Sequence, residues 1–285
     1  MSLAALVLVL GAAGLHAGWN ALAKRGGDPI VFLWCATLAS TAILTPLGLW
    51  QLTITGLAPA AVPFVVATTL VHAVYFLALG RAYAVGAYSL VYPVARGLGV
   101  ALVPILALLV FEERLSPVGT VGVALVVVGI AALHVLPGRT PAVVRVPPGQ
   151  ALVWPVVTGL TIATYSLVDK AGVARIHPVP YIMLMEGGCA LLGLPLVWLR
   201  PAAVRQELRG WRTVVLAAAG SSLAYTLVLF AFQLSKTGYV VAARELSIVL
   251  SAVLGSLWLR EGRLGPRLAG AGIVLAGVVC IALAR

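Results

Sequence analysis

The chain has 285 residues, of which 62% are hydrophobic and only 9% charged, and its mean hydropathy is +1.09. A soluble domain has roughly a quarter of its residues charged, so this composition excludes a water-soluble fold and predicts an integral membrane protein. The formal net charge of +11 does not indicate nucleic-acid binding, because Lys and Arg are scattered between apolar runs rather than clustered on one face.

Apolar segments long enough to cross a membrane follow one another along the whole chain. A helix needs about 20 apolar residues to span a hydrocarbon core of roughly 30 Å. We therefore predict an all-α integral membrane protein with ten transmembrane helices. In chain order the spans are 2–23, 30–49, 60–80, 87–110, 117–136, 150–169, 179–199, 213–234, 238–259 and 265–284.

Two connections are longer than the rest. The proline-rich segment 138–149 is predicted to link two five-helix repeats, residues 1–137 and 150–285. The segment 200–212 carries four arginines and is predicted to lie along the membrane surface.

The two halves resemble one another at an offset of 146 to 149 residues. The matching pairs are Trp19-Asn20 with Tyr165-Ser166, Ala95-Arg96 with Ala243-Arg244, and Glu112–Pro117 with Glu261–Pro266. Because each half has an odd number of spans, the second copy must cross the membrane in the opposite sense. Inverted repeats are typical of secondary transporters, whose substrate sites lie near the midplane.

The distribution of Lys and Arg predicts the orientation. The connections that follow odd-numbered spans hold twelve of these residues, whereas the other side, including both termini, holds five. Positive residues favour the cytoplasmic side. We therefore predict an inner-membrane protein whose termini lie outside the cytoplasm.

The chain resembles the EamA branch of the drug/metabolite transporter superfamily. The similar features are Phe111-Glu-Glu-Arg-Leu-Ser-Pro117, Leu259-Arg-Glu-Gly-Arg-Leu-Gly-Pro266, Leu15-His-Ala-Gly-Trp-Asn20 with Lys24, and Pro93-Val-Ala-Arg-Gly97. The resemblance implies an alternating-access carrier with a central cavity. The resulting prediction is a proton-coupled secondary transporter that exports a small polar metabolite, an amino acid or related compound. The alternative is a carrier for an organic anion such as a phosphonate or carboxylate.

Two arginines occupy matching positions in the fourth and ninth spans, Arg96 and Arg244. Placing an ionisable group at membrane depth costs at least about 2–3 kcal/mol, so such residues are expected to be functional. A guanidinium binds carboxylates and phosphonates bidentately, which predicts an anionic group on the solute. The alternative is an internal salt bridge to Glu186 or Glu245. Because adjacent helical residues point about 100° apart, Arg244 and Glu245 are expected to face different neighbours.

Glu186 and Glu245 are the predicted proton-coupling residues, since a carboxyl group shielded from water can exchange a proton near neutral pH. Each could instead be the counter-ion of an arginine. Hydrogen-bonding and aromatic residues around them are predicted to form an organic-solute cavity. The predicted substrate-binding residues are His16, Trp19, Asn20, His72, Tyr75, Tyr88, Tyr92, Arg96, Tyr165, Tyr225, Tyr239 and Arg244.

Other classes of protein are less favoured. The sequence contains no nucleophile–base motif and no metal-ligand spacing, so we expect neither a cofactor nor a metal site, and an intramembrane enzyme ranks below a carrier. A receptor or structural protein has little reason to place charges in both central helices. The expected partners are a small solute and the bilayer, and the glycines of the fifth and tenth spans leave a homodimer through these helices open.

Overall fold

The computed structural model describes residues 1–23, 27–85, 88–135, 148–250 and 264–284. Every regular element within these ranges is helical, and no strand occurs among them. By length and composition, seven described helices can cross a membrane, while the helical segments Pro117–Ala132 and Ala269–Leu283 are apolar but shorter. The chain is therefore a multi-pass helical membrane protein.

The helices follow the predicted spans with small differences at their ends. They are α1 (Leu3–Ala23), α2 (Pro29–Thr55), α3 (Val62–Val85), α4 (Tyr88–Phe111), α5 (Pro117–Val135), α6 (Pro148–Val173), α7 (Pro178–Trp198), α8 (Pro201–Arg209), α9 (Trp211–Leu234), α10 (Thr237–Arg244) and α11 (Leu264–Leu283). Five of these helices begin at a proline, which is tolerated there because the first helical amide has no partner within the helix. Most of the predicted linker 138–149 lies outside the described residues.

The predicted ninth span, 238–259, is not one continuous helix in its described part. Helix α10 ends at Arg244, Glu245 forms a turn, and residues 246–250 are helical again. The Glu245 amide donates to the carbonyls of Ala242 and Ala243, so the last turn tightens and the α-helical pattern is interrupted. Residues 251–259 lie outside the described part of the chain.

The helices of the two halves pack against one another in pairs. Helix α1 packs on α9 and α3 packs on α6, whereas α2 packs on α7 and α5 packs on α11. This set of contacts is symmetric. If α1 is exchanged with α6 and α3 with α9, the first two pairs change places, and exchanging α2 with α7 and α5 with α11 leaves the other two pairs unchanged. The core is therefore formed between the halves rather than within each half.

Glycines bring α5 and α11 into direct backbone contact. A Cβ added at Gly122 would lie 2.7 Å from the carbonyl oxygen of Gly277, and one added at Gly277 would lie 2.6 Å from the carbonyl oxygen of Gly122. The close approach that the sequence predicts for these two helices thus occurs within one chain. The homodimer through the same helices stays a prediction.

One end of the helical bundle carries both termini. The amino group of Met1 donates to the carbonyl oxygen of Ala284 at 2.5 Å. At the opposite end, the four-arginine segment forms helix α8, whose Glu207 accepts hydrogen bonds from the amides of Gly27 at 2.7 Å and Asp28 at 3.2 Å. Arg200 also pairs with Asp28 at 2.9 Å. These contacts attach the segment between α7 and α9 to the start of α2.

Large apolar side chains are exposed around the bundle, with Leu109 of α4 at 73% and Leu191 of α7 at 68%. In water such a surface would be an aggregation-prone patch, whereas in a bilayer it meets lipid. Polar side chains are buried inside the bundle instead.

Candidate functional site: a central polar cavity

A cavity of about 90 Å³ lies inside the bundle, and its described walls come from α1, α2, α3, α4, α6, α7, α9 and α10. This volume is below the roughly 300–1,000 Å³ of pockets for drug-sized ligands, so the site suits a small solute in this conformation. The predicted residues that line it are His16, Trp19, His72, Tyr75, Arg96, Tyr165, Glu186, Tyr225 and Arg244. The structure thus brings together residues from both halves.

Glu245 lies between the two arginines. Its Oε2 is 3.3 Å from Arg96 Nε, and its Oε1 is 3.9 Å from Arg244 Nε. All three residues are buried, with Glu245 only 1% exposed. As expected, Arg244 and Glu245 face different neighbours, since Arg244 lines the cavity whereas Glu245 makes its shorter contact with Arg96 of α4. The internal salt bridge that was the alternative for Arg96 is present.

This charged cluster is not neutral by itself. Two guanidinium groups share one carboxylate, and among the described residues Arg244 Nε and Glu245 Oε2 lack a hydrogen-bond partner of suitable geometry. The remaining Arg244 contact is long, with Nη2 donating to the Tyr165 hydroxyl at 3.5 Å. A group with oxygen acceptors could therefore enter the cluster without displacing ideal hydrogen bonds.

His16 faces two hydrogen-bond donors. Trp19 Nε1 lies 3.1 Å from its Nδ1, and Arg96 Nη2 lies 2.9 Å from its Nε2. Indole and guanidinium groups only donate, whereas a neutral imidazole has one acceptor nitrogen and one N–H. His16 can satisfy one of these donors at a time. A solute oxygen that takes over either donor would improve the hydrogen bonding.

Aromatic rings form one wall of the cavity. His72 stacks on Tyr165 with ring centroids 4.3 Å apart, and Tyr75 meets Tyr165 edge to face at 5.5 Å. Tyr225 approaches His72 edge to face at 5.5 Å. These rings provide a rigid, partly polar surface of the kind expected for an organic solute.

Asp169 is a buried carboxylate that the sequence analysis did not select. It is fully buried and accepts hydrogen bonds from Thr68 at 2.5 Å, from Tyr181 at 2.8 Å, and from Tyr225. Thr68 also contacts His72 Nδ1 at 2.9 Å. The sequence signal at this position is a second ionisable residue beside Lys170, at the end of the predicted sixth span 150–169.

Glu186 lies on the α7 side of the cavity. Its Oε2 is buried and has no hydrogen-bond partner, and no ion pair to an arginine is present among the described residues. The neighbouring Gly188 permits close packing, since a Cβ there would lie 2.5 Å from the Thr69 side chain. Glu186 is thus available to a cationic group in the cavity.

The remaining predicted residues lie elsewhere. Tyr239 is near the start of α10, where its hydroxyl accepts from the Ser116 amide at 2.9 Å, so it does not line the cavity. Asn20 donates to the His16 carbonyl of its own helix at 2.7 Å. The side chains of Tyr88 and Tyr92 lie outside the described residues. Within the described ranges, no group of three or more His, Cys, Asp and Glu side chains could hold a metal ion.

The fold and the cavity together define a multi-pass helical membrane protein with an internal polar site. Comparison with known proteins is more specific for the second half. Residues 149–283 match the model of the EamA-like transporter family. This confirms the resemblance over those residues.

No curated protein sequence matches the chain significantly. Among solved structures, 28 chains match it. One of them, a crystal structure of a protein, superposes with a TM-score of 0.77, covers 98% of this chain and 97% of that chain, and is 15% identical. At this identity the likeness establishes the fold alone.

Proposed function

We propose that the protein is a secondary active transporter that moves a small polar metabolite across the inner membrane by alternating access. Two five-helix halves in inverted topology would enclose the cavity, with both termini outside the cytoplasm. The constant sequence offset and the self-consistent exchange of helix pairs support the inverted repeat. The match of residues 149–283 to the EamA-like transporter family supports transport as the activity.

The observation that carries the proposal is the charge distribution around the buried cavity. Arg96 and Arg244 share one carboxylate on the α4 and α10 side, while Glu186 lies on α7 with an unpartnered oxygen. A zwitterion places its carboxylate against the arginines and its ammonium group against the glutamate. The same arrangement favours an amino acid or a related compound over an apolar solute.

The excess positive charge of the arginine cluster favours a second candidate. An organic anion such as a carboxylate or phosphonate would supply the missing negative charge near Arg244. In that case Glu186 would contribute little to binding, because the solute brings no cationic group.

Flux measurements on proteoliposomes test the activity. The purified protein is reconstituted and supplied with a radiolabelled mixture of L-amino acids or, separately, with radiolabelled methylphosphonate. We expect saturable flux of the amino acids that falls in both Arg244→Gln and Glu186→Gln. Flux of methylphosphonate that depends on Arg244 and not on Glu186 would select the anion carrier. Absence of protein-dependent flux for both probes would contradict the proposal.

A proton gradient is the driving force that we propose, and export is the proposed direction. Glu245 is an unfavourable coupling group because two arginines share its one carboxylate, which leaves Glu186 as the candidate among the two predicted coupling residues. If Glu186 is the coupling group, Glu186→Gln abolishes the dependence of flux on the pH gradient.

A further inference from the structure

We propose that Asp169, Thr68 and His72 form a proton-binding relay and that this relay, rather than Glu186 or Glu245, is the coupling site of the carrier. The inference rests on the proposed transport function. It concerns side chains on α3 and α6, of which His72 belongs to the aromatic wall of the cavity and contacts Thr68, which in turn contacts Asp169.

The first step is the hydrogen-bond direction within the relay. Thr68 has one hydroxyl hydrogen and donates it to Asp169, with Thr68 Oγ1 2.5 Å from Asp169 Oδ1. Thr68 Oγ1 must then accept from His72 Nδ1, which lies 2.9 Å away and also 3.0 Å from the backbone carbonyl of Thr68. Both contacts place the hydrogen on His72 Nδ1. The other nitrogen, Nε2, is left as the basic atom of a residue that lines the cavity.

The second step is the charge of Asp169. Its two oxygens accept from three hydroxyl groups, those of Thr68, Tyr181 and Tyr225. Each of these hydroxyl groups donates its one hydrogen to the carboxylate. No Lys, Arg or His lies within ion-pair distance of Asp169 among the described residues. The adjacent Lys170 turns away and donates to the carbonyls of Phe232 and Ser235.

A buried carboxylate without a paired cation makes a proton favourable nearby. The proton adds to the lone pair of His72 Nε2, which gives an imidazolium. Its Nδ1–H can pass to Thr68 Oγ1 while the original Thr68 hydrogen passes to Asp169 Oδ1. In total, one proton enters the relay at His72 Nε2. Each N–H or O–H bond that breaks at His72 or Thr68 is replaced by a new O–H bond at Thr68 or Asp169.

The third step connects the relay to the solute site. His72 stacks on Tyr165, and the Tyr165 hydroxyl accepts from Arg244 Nη2. A positive charge on His72 therefore lies one ring away from the arginine that we propose to bind the solute anion. Proton binding and solute binding can influence each other through this contact.

Several other titratable or charged groups face the relay from the helices packed around it. They are Tyr75 on α3, Tyr165 on α6, Tyr181, Glu186 and Cys189 on α7, Tyr225 on α9, Arg244 on α10 and Arg96 on α4. On α2, Cys35 packs toward α9 instead. Of these groups, only Glu186 is a second carboxyl group. The test must therefore separate Asp169 from Glu186.

Infrared difference spectroscopy tests the proton site without any solute. The protein in lipid nanodiscs is titrated with acid, and the carboxyl C=O stretch reports proton uptake. We expect one band that is lost in Asp169→Asn and kept in Glu186→Gln. Thr68→Val, which keeps the shape but removes the hydroxyl, should move the titration midpoint by about one pH unit, a tenfold change in proton affinity, whereas Thr68→Ser should not. A band that disappears only in Glu186→Gln overturns the inference.

Transport provides the second arm. A gradient of one pH unit supports about tenfold accumulation of a solute per coupled proton. With the radiolabelled L-amino acid mixture, Asp169→Asn should lower accumulation to equilibration while solute exchange at equal pH continues. Wild-type accumulation in this variant overturns the inference, and absence of flux in the wild type defeats the proposed function instead. If Asp169→Asn does not fold, the Thr68→Val and Thr68→Ser pair decides the question by the same readouts.

Discussion

The charge cluster of Arg96, Glu245 and Arg244 makes a quantitative prediction about stability. Glu245→Gln keeps the size of the side chain and removes its charge, which leaves two buried guanidinium groups facing one another. Removing one partner of a buried ion pair costs about 3–5 kcal/mol, because the remaining charge is uncompensated. Glu245 is only 1% exposed and approaches both arginines. We therefore expect a loss of about 3–5 kcal/mol in the free energy of unfolding.

Unfolding of the purified protein in mixed micelles measures this loss. Glu186→Gln is the matched control, since it removes a cavity carboxyl group that has no arginine partner, and it should change stability by less than about 1 kcal/mol. The double variant Arg96→Gln/Glu245→Gln should be more stable than Glu245→Gln alone, because the repulsion is relieved. Equal stability of Glu245→Gln and the wild type, or additive effects in this double-mutant cycle, would refute the reasoning.

Three further predictions concern the scaffold. Gly277→Ala should lower the free energy of unfolding by about 1–3 kcal/mol, because its Cβ would meet the Gly122 carbonyl. The control is Gly272→Ala, which should leave the stability unchanged because a Cβ there meets nothing within 4 Å. Thermal unfolding compares the two variants. Glu207→Ala should increase hydrogen exchange at the start of α2 by removing the acceptor of two amides, at a cost of about 1–3 kcal/mol; unchanged exchange at Gly27 and Asp28 would contradict this role. Burial lowers the pKa of His177 from its ordinary 6.5, so the folded state favours the neutral ring, whose Nδ1 accepts from the Val179 amide. Stability should therefore fall as pH drops below about 6.5, and His177→Asn, which keeps an acceptor at the cap, should flatten this part of the pH profile.

The helical spans could be predicted because the property that defines them is local. A run of about 20 apolar residues must be helical in lipid, whatever its neighbours are. The break at Glu245 could not be predicted in this way. No Gly or Pro lies between Tyr239 and Val249, so the sequence contains no local signal that ends the helix. Tertiary contacts with Arg96 and the backbone of α10 determine the turn.

The relay residue Asp169 shows a different limit of the sequence. Its three hydroxyl partners lie on α3, α7 and α9, between 12 and 101 residues away in the chain. The repeat comparison drew attention to matched charges such as Arg96 and Arg244. Asp169 aligns with Ala23 at the 146-residue offset, so it has no matching charge. Internal symmetry identified the shared part of the site and missed the part that one half alone supplies.

The contacts of Glu113, at the end of the bundle that carries the termini, have the same asymmetry. Glu113 accepts from the amide of Thr237 at 2.6 Å and lies 3.7 Å from Lys170 Nζ, so it ties the connection between α4 and α5 to α10 and α6. In sequence, Glu113 aligns with Gly262 at the 149-residue offset, whereas Lys170 aligns with Lys24. If the two halves exchange conformations, as alternating access requires, the reciprocal closure must form without this carboxylate. Under the proposed mechanism the two end states would then differ in energy by the contribution of Glu113, and its contacts favour the conformation of this structure.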